Sequence, residues 1–492
     1  GLPSGIAIQH RDTLDAVQRE FREIKGTTVI IYDQTCATEK RRRRKRGKLA
    51  TPDKTVVINE LVCEGCGDCS VQSNCLSVEP VETEFGRKRR INQSTCNKDY
   101  SCVKGFCPSF VTVEGGQLKK PKKDKKGDLS ALPNIPEPVL PVADVAWGIV
   151  VAGVGGTGVI TIGSLLGMAA HLEGKGVITQ DAAGLAQKGG ATWSHIQIAN
   201  RPDAIYTTKV DTAKADLVIG CDAIVAANKA TLAVLQPGRT FVALNTHRTP
   251  TASFVNNPNW QFPDAHCDTA ITSALGEGSV GSFDAEQVAT QLLGDSIYTN
   301  PLLLGYAWQK GRVPLTLASL MRAMELNGVQ VENNKAAFEW GRRCAHDLPA
   351  VQALFQAAQV IQFVKKPALA DMIAKRVDFL TGYQNAAYAA DYQAFVQKVQ
   401  AAEAQLGTTT RLTEAVARYL FKLMAYKDEY EVARLHTDKA FMDKIAAQFE
   451  GDFKLHVHLA PPLIAKKNAK GELVKQRFGP LMFTGFKLLA KL

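Results

Sequence analysis

The chain has 492 residues, 45 % hydrophobic and 22 % charged, with a formal net charge of +11. That length holds about two to four domains and can bury a sizeable core. The composition is ordinary for a soluble globular protein, which sets aside disordered and fibrous classes. The charge is uneven: residues 1–128 carry 25 Lys plus Arg against 17 Asp plus Glu, so +8 of the total sits there. Such a basic field suits an acidic partner and says nothing about the fold.

The sequence starts at Gly1 with no Met, no charged n-region and no signal-peptide core. It opens directly on a helical pattern and an apolar run, so a cytoplasmic fragment cut from inside a domain is expected. Leu14, Val17, Phe21 and Ile24 recur at helical spacing and predict a helix over 13–24, stopped by Gly26. Residues 28–32 (TVIIY) predict a short buried strand. A basic run at 40–46 (KRRRRKR) precedes a cysteine-rich segment. A second run at 119–126 then leads into Pro133, Pro136, Pro138 and Pro141, predicting an extended linker over 118–144.

Residues 145–170 hold no charge and are long enough to cross a bilayer, and Gly163 and Gly167 form a small-residue pair. Gly148, Gly153, Gly155, Gly156 and Gly158 crowd the first half, however, and a strand–turn–helix explains them better, so no membrane span is expected. Strands predicted at 148–152, 176–180, 192–198, 216–220 and 240–245 alternate with helices, the pattern of an α/β domain. Past about Gly305, Ala-rich helical patterns dominate, for example 412–426 and 437–449.

Seven of the eleven cysteines fall between positions 63 and 107. Without a secretion signal, such clustering points to metal binding rather than disulfides. Cys63, Cys66 and Cys69 are spaced by three in a turn containing Gly65 and Gly67, with Cys75 following, which is the ferredoxin-type run for a four-iron cubane. A second run, Cys96, Cys102 and Cys107-Pro108, places Asp99 at the middle ligand position. The last Cys of each run crosses to the other cluster in two-cluster ferredoxins. The expected ligand sets are therefore Cys63, Cys66, Cys69 and Cys107 for a first [4Fe-4S] cluster, and Cys96, Asp99, Cys102 and Cys75 for a second. The carboxylate is the harder, weaker ligand for iron, so that corner is expected to be labile. Zinc is the alternative, but its sites use separated cysteine pairs, and the triple has one thiolate too many. Cys36, Cys221, Cys267 and Cys344 are isolated and read as buried apolar cysteines.

Gly153-Val-Gly155-Gly156-Thr-Gly158 fits G-x-G-x-x-G between a strand and a helix. The acidic residue of a dinucleotide site is out of place: Asp181 is too distant and Glu173 precedes the next strand. A tight packing turn, or a phosphate site of another kind, is expected instead. Residues 184–190 (GLAQKGG) predict a tight loop facing the Gly153 loop through Gly189 and Gly190. Lys188 and His195 are candidates to touch a ligand there, although a lone His in a strand is more often structural. The basic runs lack interleaved aromatics and any nucleic-acid motif, so they read as solvated faces or as a field steering an acidic redox carrier.

Three groups of residues carry a family resemblance. Residues 33–47 (DQTCATEKRRRRKRG), Cys63-Glu-Gly-Cys66-Gly-Asp-Cys69, Phe85-Gly-Arg-Lys-Arg-Arg-Ile91 and Cys102-Val-Lys-Gly-Phe-Cys107-Pro108 are similar to the large fused bacterial indolepyruvate:ferredoxin oxidoreductases. Gly153–Gly158 and residues 186–191 (AQKGGA) resemble the gamma domain of the wider 2-oxoacid:ferredoxin oxidoreductases, and residues 420–434 the fused enzymes' C-terminal extension. The resemblance implies a multidomain α/β protein. Residues 1–50 would be the tail of a thiamine diphosphate domain, 51–117 a ferredoxin-like iron–sulfur domain, 145–330 a Rossmann-like gamma domain and 331–492 a helical extension. It also implies oxidative decarboxylation of indolepyruvate or another aryl 2-oxoacid. Electrons would go to ferredoxin, the acyl group to coenzyme A, and thiamine diphosphate with Mg would sit upstream. No Gly-Asp-Gly with a suitably spaced Asn occurs here, so the chain alone is expected not to decarboxylate. A homo-oligomer with neither nucleic-acid nor membrane partners is expected. A stand-alone electron-transfer module on an unrelated scaffold, and a zinc-containing nucleic-acid binder, are the competing readings.

Overall fold

The computed structural model describes residues 3–119, 129, 132–183, 190–276, 278–356, 368–407, 409–461, 465–467, 471 and 473–490. The chain divides into two compact units, Gly1–Ala50 and Thr51–Leu492. In the first, Leu14–Glu23 and Ala37–Lys45 are helices. The strand expected at 28–32 does not form. A strand needs a neighbour for its N–H and C=O groups, and among the described residues of this unit there is none. Val29 and Ile31 are accordingly exposed. The basic run at 40–46 is helical through Lys45, and Glu39 receives Arg43 one turn on at 3.1 Å.

The strands of the second unit are β1 (Lys54–Ile58), β2 (Val78–Thr83), β3 (Gly86–Ile91), β4 (Phe110–Glu114), β5 (Gln117–Leu118), β6 (Trp147–Val154) and β7 (Gly176–Ala183). They continue as β8 (Ala191–Ala199), β9 (Leu217–Gly220), β10 (Phe241–Asn245), β11 (Val280–Phe283), β12 (Phe449–Glu450), β13 (Lys454–Leu459) and β14 (Gln476–Phe478). One sheet runs β11-β10-β9-β6-β8-β7. In it β6, β9, β10 and β11 are parallel, while β8 lies antiparallel to both β6 and β7. The run WGIVVAGV of β6 is apolar throughout because both faces are covered. Ile149 and Val151 pack with Ile162 and Leu166 of the helix Val159–Leu172, and Val150 packs with Val210 and Val218 on the other side. The uncharged stretch 145–170 is thus strand, turn and helix, and no described helix is long and apolar enough to cross a membrane.

The core on the first face continues into helices Thr299–Gln309 and Val331–His346, with Trp308, Phe338 and Trp340 buried between them. It therefore runs past residue 330 without a break. The described Pro-rich residues after 131 lie on this domain: Gln309 donates to the Pro136 carbonyl at 2.8 Å. Helices Leu369–Tyr383, Ala386–Ala404 and Arg411–Met424 pack around Leu380, Tyr392 and Phe421. The end of the chain is not purely helical. Its β13 and β14 complete an antiparallel sheet, β1-β4-β13-β14, with two strands of the cysteine segment.

A buried polar network ties the β2–β3 hairpin to the α/β domain. Asn92 donates to Glu79 at 2.7 Å and to Glu286 at 3.4 Å. The His247 ring lies 3.2 Å from Asp284 and 3.6 Å from Glu286. Burial opposes charging His247, but the hydrogen bond to Asp284 and the charges of Glu286 and Asp284 push it up to about 9. The folded value exceeds the unfolded value of about 6.5, so this contribution is complete below about pH 6.5 and is lost as pH rises through about 9. It amounts to roughly 3 kcal/mol at most. In scanning calorimetry, His247→Gln should flatten the fall in stability that the parent shows across that window; equal slopes would remove the ion pair from the account.

Candidate iron–sulfur centre

The first motif grows out of β1. Asn59 N–H donates to the Ser109 carbonyl at 2.8 Å and its own carbonyl accepts from Cys63 N–H at 3.0 Å, so Cys63 and Cys107 emerge at the same end of the β1–β4 ladder. Gly65 and Gly67 have φ of +70° and +87°. A Cβ at Gly65 would lie 2.3 Å from the Arg87 carbonyl, so glycine is what lets the loop pass against β3. Gly67 then starts the short helix Asp68–Ser73, which carries Cys69 inward. Gly65 N–H donates to Cys63 Sγ at 3.3 Å, and Lys98 N–H to Cys96 Sγ at 3.4 Å.

Cys63 and Cys69 are buried in one cluster with Val56, Ile58, Val78 and Phe110, and Cys102 and Cys107 pack against it. Burial, then the nearby Cys107 and Cys63 with Cys66, pushes the Cys69 thiol up to about 12. Burial, then Cys96 and Cys75, followed by Cys69 and Asp99, pushes Cys102 up as well. Thiols that oppose one another's ionisation form a donor set that cationic iron would relieve, which is the chemistry a cluster requires. Asp68 Oδ2 and Ser70 Oγ are buried beside Cys69 without a hydrogen-bond partner among the described residues. Lys98 and Tyr100 hold left-handed φ of +52° and +64° around the second motif, strain of the kind found at functional loops. Asp99 is exposed, and its carboxylate accepts from the Ser101 N–H at 3.4 Å and hydroxyl at 2.6 Å. Among the described residues no three His, Cys, Asp or Glu side chains converge on one metal-ion position. Of the isolated cysteines, Cys221, Cys267 and Cys344 are buried as expected, whereas Cys36 is exposed, its thiol lowered chiefly by the Glu39 backbone N–H.

The glycine loop links β6 to the helix Val159–Leu172. Gly153 is a packing position: a Cβ there would meet Val159 at 2.8 Å and Cys221 at 2.9 Å. Gly155 N–H donates to the Gly190 carbonyl at 2.8 Å, which places Gly190 against the Gly153 loop. Gly156 and Gly158 take φ of +86° and +104°, and the helix start has no side-chain cap. Lys188 and Gly189 lie outside the described residues. His195 does not reach the loop. It pairs with Val150, three residues down the ladder from Gly153, or roughly 10 Å at strand spacing. Asp181 is also displaced, because β8 intervenes between β7 and β6.

Several residues carry the site without a signal in the sequence. Arg89 is fully buried, stacks over Phe254 at 4.4 Å, donates to the Lys88 and Pro258 carbonyls and stands near Cys69, Cys63 and Cys66. Asp222, at the end of β9 beside the glycine loop, receives Val225 N–H at 3.0 Å and leaves its second oxygen buried without a partner among the described residues. A strand followed by Asp is an ordinary helix cap, so nothing marks this one.

Comparison with known proteins adds the following. Residues 148–344 match a family described as pyruvate ferredoxin/flavodoxin oxidoreductase, and residues 369–492 match a family of unknown function. The indolepyruvate oxidoreductase subunit IorB of Pyrococcus horikoshii is 27% identical over 204 residues, covering 41% of this chain and 97% of the relative. Its namesake from Methanothermobacter thermautotrophicus is 30% identical over 183 residues, covering 37% and 87%. A solved pyruvate oxidoreductase subunit PORC from Thermotoga maritima covers 40% of this chain and 96% of its own, at 18% identity and a TM-score of 0.30.

Proposed function

The chain belongs to the indolepyruvate oxidoreductase family of 2-oxoacid:ferredoxin oxidoreductases, and from that premise we propose that its cysteine segment is the electron exit of an aryl-2-oxoacid oxidoreductase. Indolepyruvate or a similar arylpyruvate is the substrate, coenzyme A takes the acyl group, and ferredoxin takes the electrons in the cytoplasm. Thiamine diphosphate and Mg belong to a domain other than those described, since the sequence lacks the Gly-Asp-Gly diphosphate motif. Iron–sulfur clusters, when bound, supply one-electron transfer at potentials set by their surroundings.

Cys63, Cys66, Cys69 and Cys107 hold the first cluster. Cys75, Cys96 and Cys102 hold the second, with Asp99 turning from Ser101 to complete it. The observation that supports the reading most is that Cys63 and Cys69 share one buried cluster and that Cys102 and Cys107, from the second motif, pack against it. Two clusters so placed form a relay. The Gly65 and Lys98 N–H groups favour the reduced, more negative state by donating to sulfur. The basic residues of 40–46 steer an acidic ferredoxin. Gly156 and Gly158, with Gly190, form a turn for a phosphate-bearing ligand, and Gly153 and Gly155 hold its geometry.

Anaerobically purified full-length chain should contain about eight iron and eight acid-labile sulfide per molecule and, once reduced, give the paramagnetic resonance of two interacting clusters. Zinc without sulfide would overturn the reading.

A further inference from the structure

Residues 369–492, the part matching a family of unknown function, grip the cysteine segment at the residues flanking Cys63 and Cys107. Lys475 Nζ donates to the Cys107 carbonyl at 2.8 Å and lies 4.8 Å from the Phe110 ring centre. His436, fully buried and stacked on Phe486 at 5.7 Å, has Nε2 at 3.0 Å from the Pro108 carbonyl. A carbonyl only accepts, so Nε2 bears the proton and Nδ1 is left to accept from Asn59 Nδ2 at 3.4 Å. That same Asn59 amide donates to the Leu435 carbonyl at 3.0 Å. On the other ligand loop, Lys427 pairs with Glu64 and donates to the Val62 carbonyl at 3.4 Å. β13 closes the remaining edge of β4, pairing Val457 with Val111.

These contacts share a target. Cys63 and Cys107 are far apart in sequence, yet the Val62 carbonyl before the one and the Cys107 and Pro108 carbonyls at the other are held by cationic or N–H groups of one C-terminal region. Ordinary packing between domains would not need a buried imidazole and a half-buried ammonium on two successive carbonyls at a ligand cysteine. We propose that residues 369–492 are a clamp and counter-charge for the first cluster: Lys475 lowers the cost of adding an electron there, and His436 fixes the Cys107-Pro108 turn that presents the thiolate. A cluster held by four thiolates is anionic and gains one negative charge on reduction. A fixed ammonium beside it stabilises the reduced form more than the oxidised form. The proposal rests on the reading that Cys63, Cys66, Cys69 and Cys107 hold a cluster.

The test is a redox titration of the full chain followed by paramagnetic resonance, in which the signal lost in Cys69→Ser identifies the first cluster. Lys475→Met should move its oxidised-to-reduced ratio at fixed potential about tenfold towards oxidised, which is about 59 mV for one electron. Lys475→Arg should stay close to the parent. Lys444→Met, which removes the 2.5 Å pair with Glu60 elsewhere on the same region, should also stay close. Loss of the first cluster in Lys475→Met but not in Lys475→Arg supports the proposal too, because charge then decides retention. An unchanged potential in a loaded Lys475→Met, or cluster loss in both Lys475 variants, overturns it. A parent chain without sulfide instead overturns the cluster reading and takes the counter-charge with it.

Discussion

Cys69→Ser is expected to remove the first cluster, cutting iron and sulfide to about half and leaving the resonance of a single, uncoupled centre. Cys69 is buried with Cys63 in the cluster that Cys102 and Cys107 pack against, and burial with the charges of Cys107, Cys63 and Cys66 pushes its thiol up to about 12. Altering a residue that merely orients a metal ligand typically costs 10–100-fold in affinity, so replacing a ligand itself should cost more than about 100-fold. Serine also leaves a hydroxyl where a buried thiol lay, at a cost of about 1–3 kcal/mol if it finds no partner. Stability loss must therefore be separated from cluster loss, and Cys221→Ser does this. Cys221 is buried at the end of β9 and belongs to neither cysteine motif. Its serine variant should lose a similar stability with iron and sulfide unchanged. If Cys69→Ser keeps its iron, or Cys221→Ser loses as much, the ligand assignment fails.

The elements easiest to read in the sequence are those whose cause is local. The strand β6 announces itself as eight apolar or small residues running into the Gly155–Gly158 turn, and burial on both faces is the reason. The cysteine spacings are local too, because a turn with Gly65 and Gly67 suffices to bring Cys63 near Cys69. Residues 28–32 misled because β propensity is satisfied only by a partner strand. The helix through the arginine run has no apolar period to announce it: Lys and Arg are good helix formers, and Glu39 offsets part of their repulsion. Glu173, weighed as a dinucleotide residue, instead accepts from the N–H of Thr316, the residue that caps the helix Leu317–Asn327, at 2.7 Å. That contact spans more than a hundred residues, as do Lys475 to Cys107 and His436 to Pro108. Arg89 is the extreme case, since hydropathy places an arginine in water, and only the Phe254 ring and the Pro258 carbonyl, both from a distant segment, hold it in the interior.

Gly341→Ala should destabilise the α/β domain by at least about 3 kcal/mol, at the upper end of what overpacking costs. Helices Thr299–Gln309 and Val331–His346 cross in near backbone contact: a Cβ at Gly341 would lie 1.8 Å from the Leu302 carbonyl oxygen and 2.8 Å from the Tyr306 nitrogen. Gly305 meets the Phe338 carbonyl the same way, at 2.0 Å. Backbone cannot rotate aside as a flexible side chain can, so the helices must separate and open the packing of Trp308, Phe338 and Trp340. Alanine is the better helix former by about 1 kcal/mol, so propensity alone predicts a gain. Gly382, in the helix Leu369–Tyr383, isolates that propensity: the nearest neighbour of its Cβ would be an Arg434 nitrogen at 3.5 Å. Gly382→Ala should therefore be neutral or stabilising by up to about 1 kcal/mol. The crossing also bears on the glycine loop, because Asn300 on the first helix donates to the Thr157 carbonyl at 3.2 Å. Urea titration of both variants decides the matter, and a Gly341→Ala chain as stable as its parent would mean that the two helices do not cross this closely.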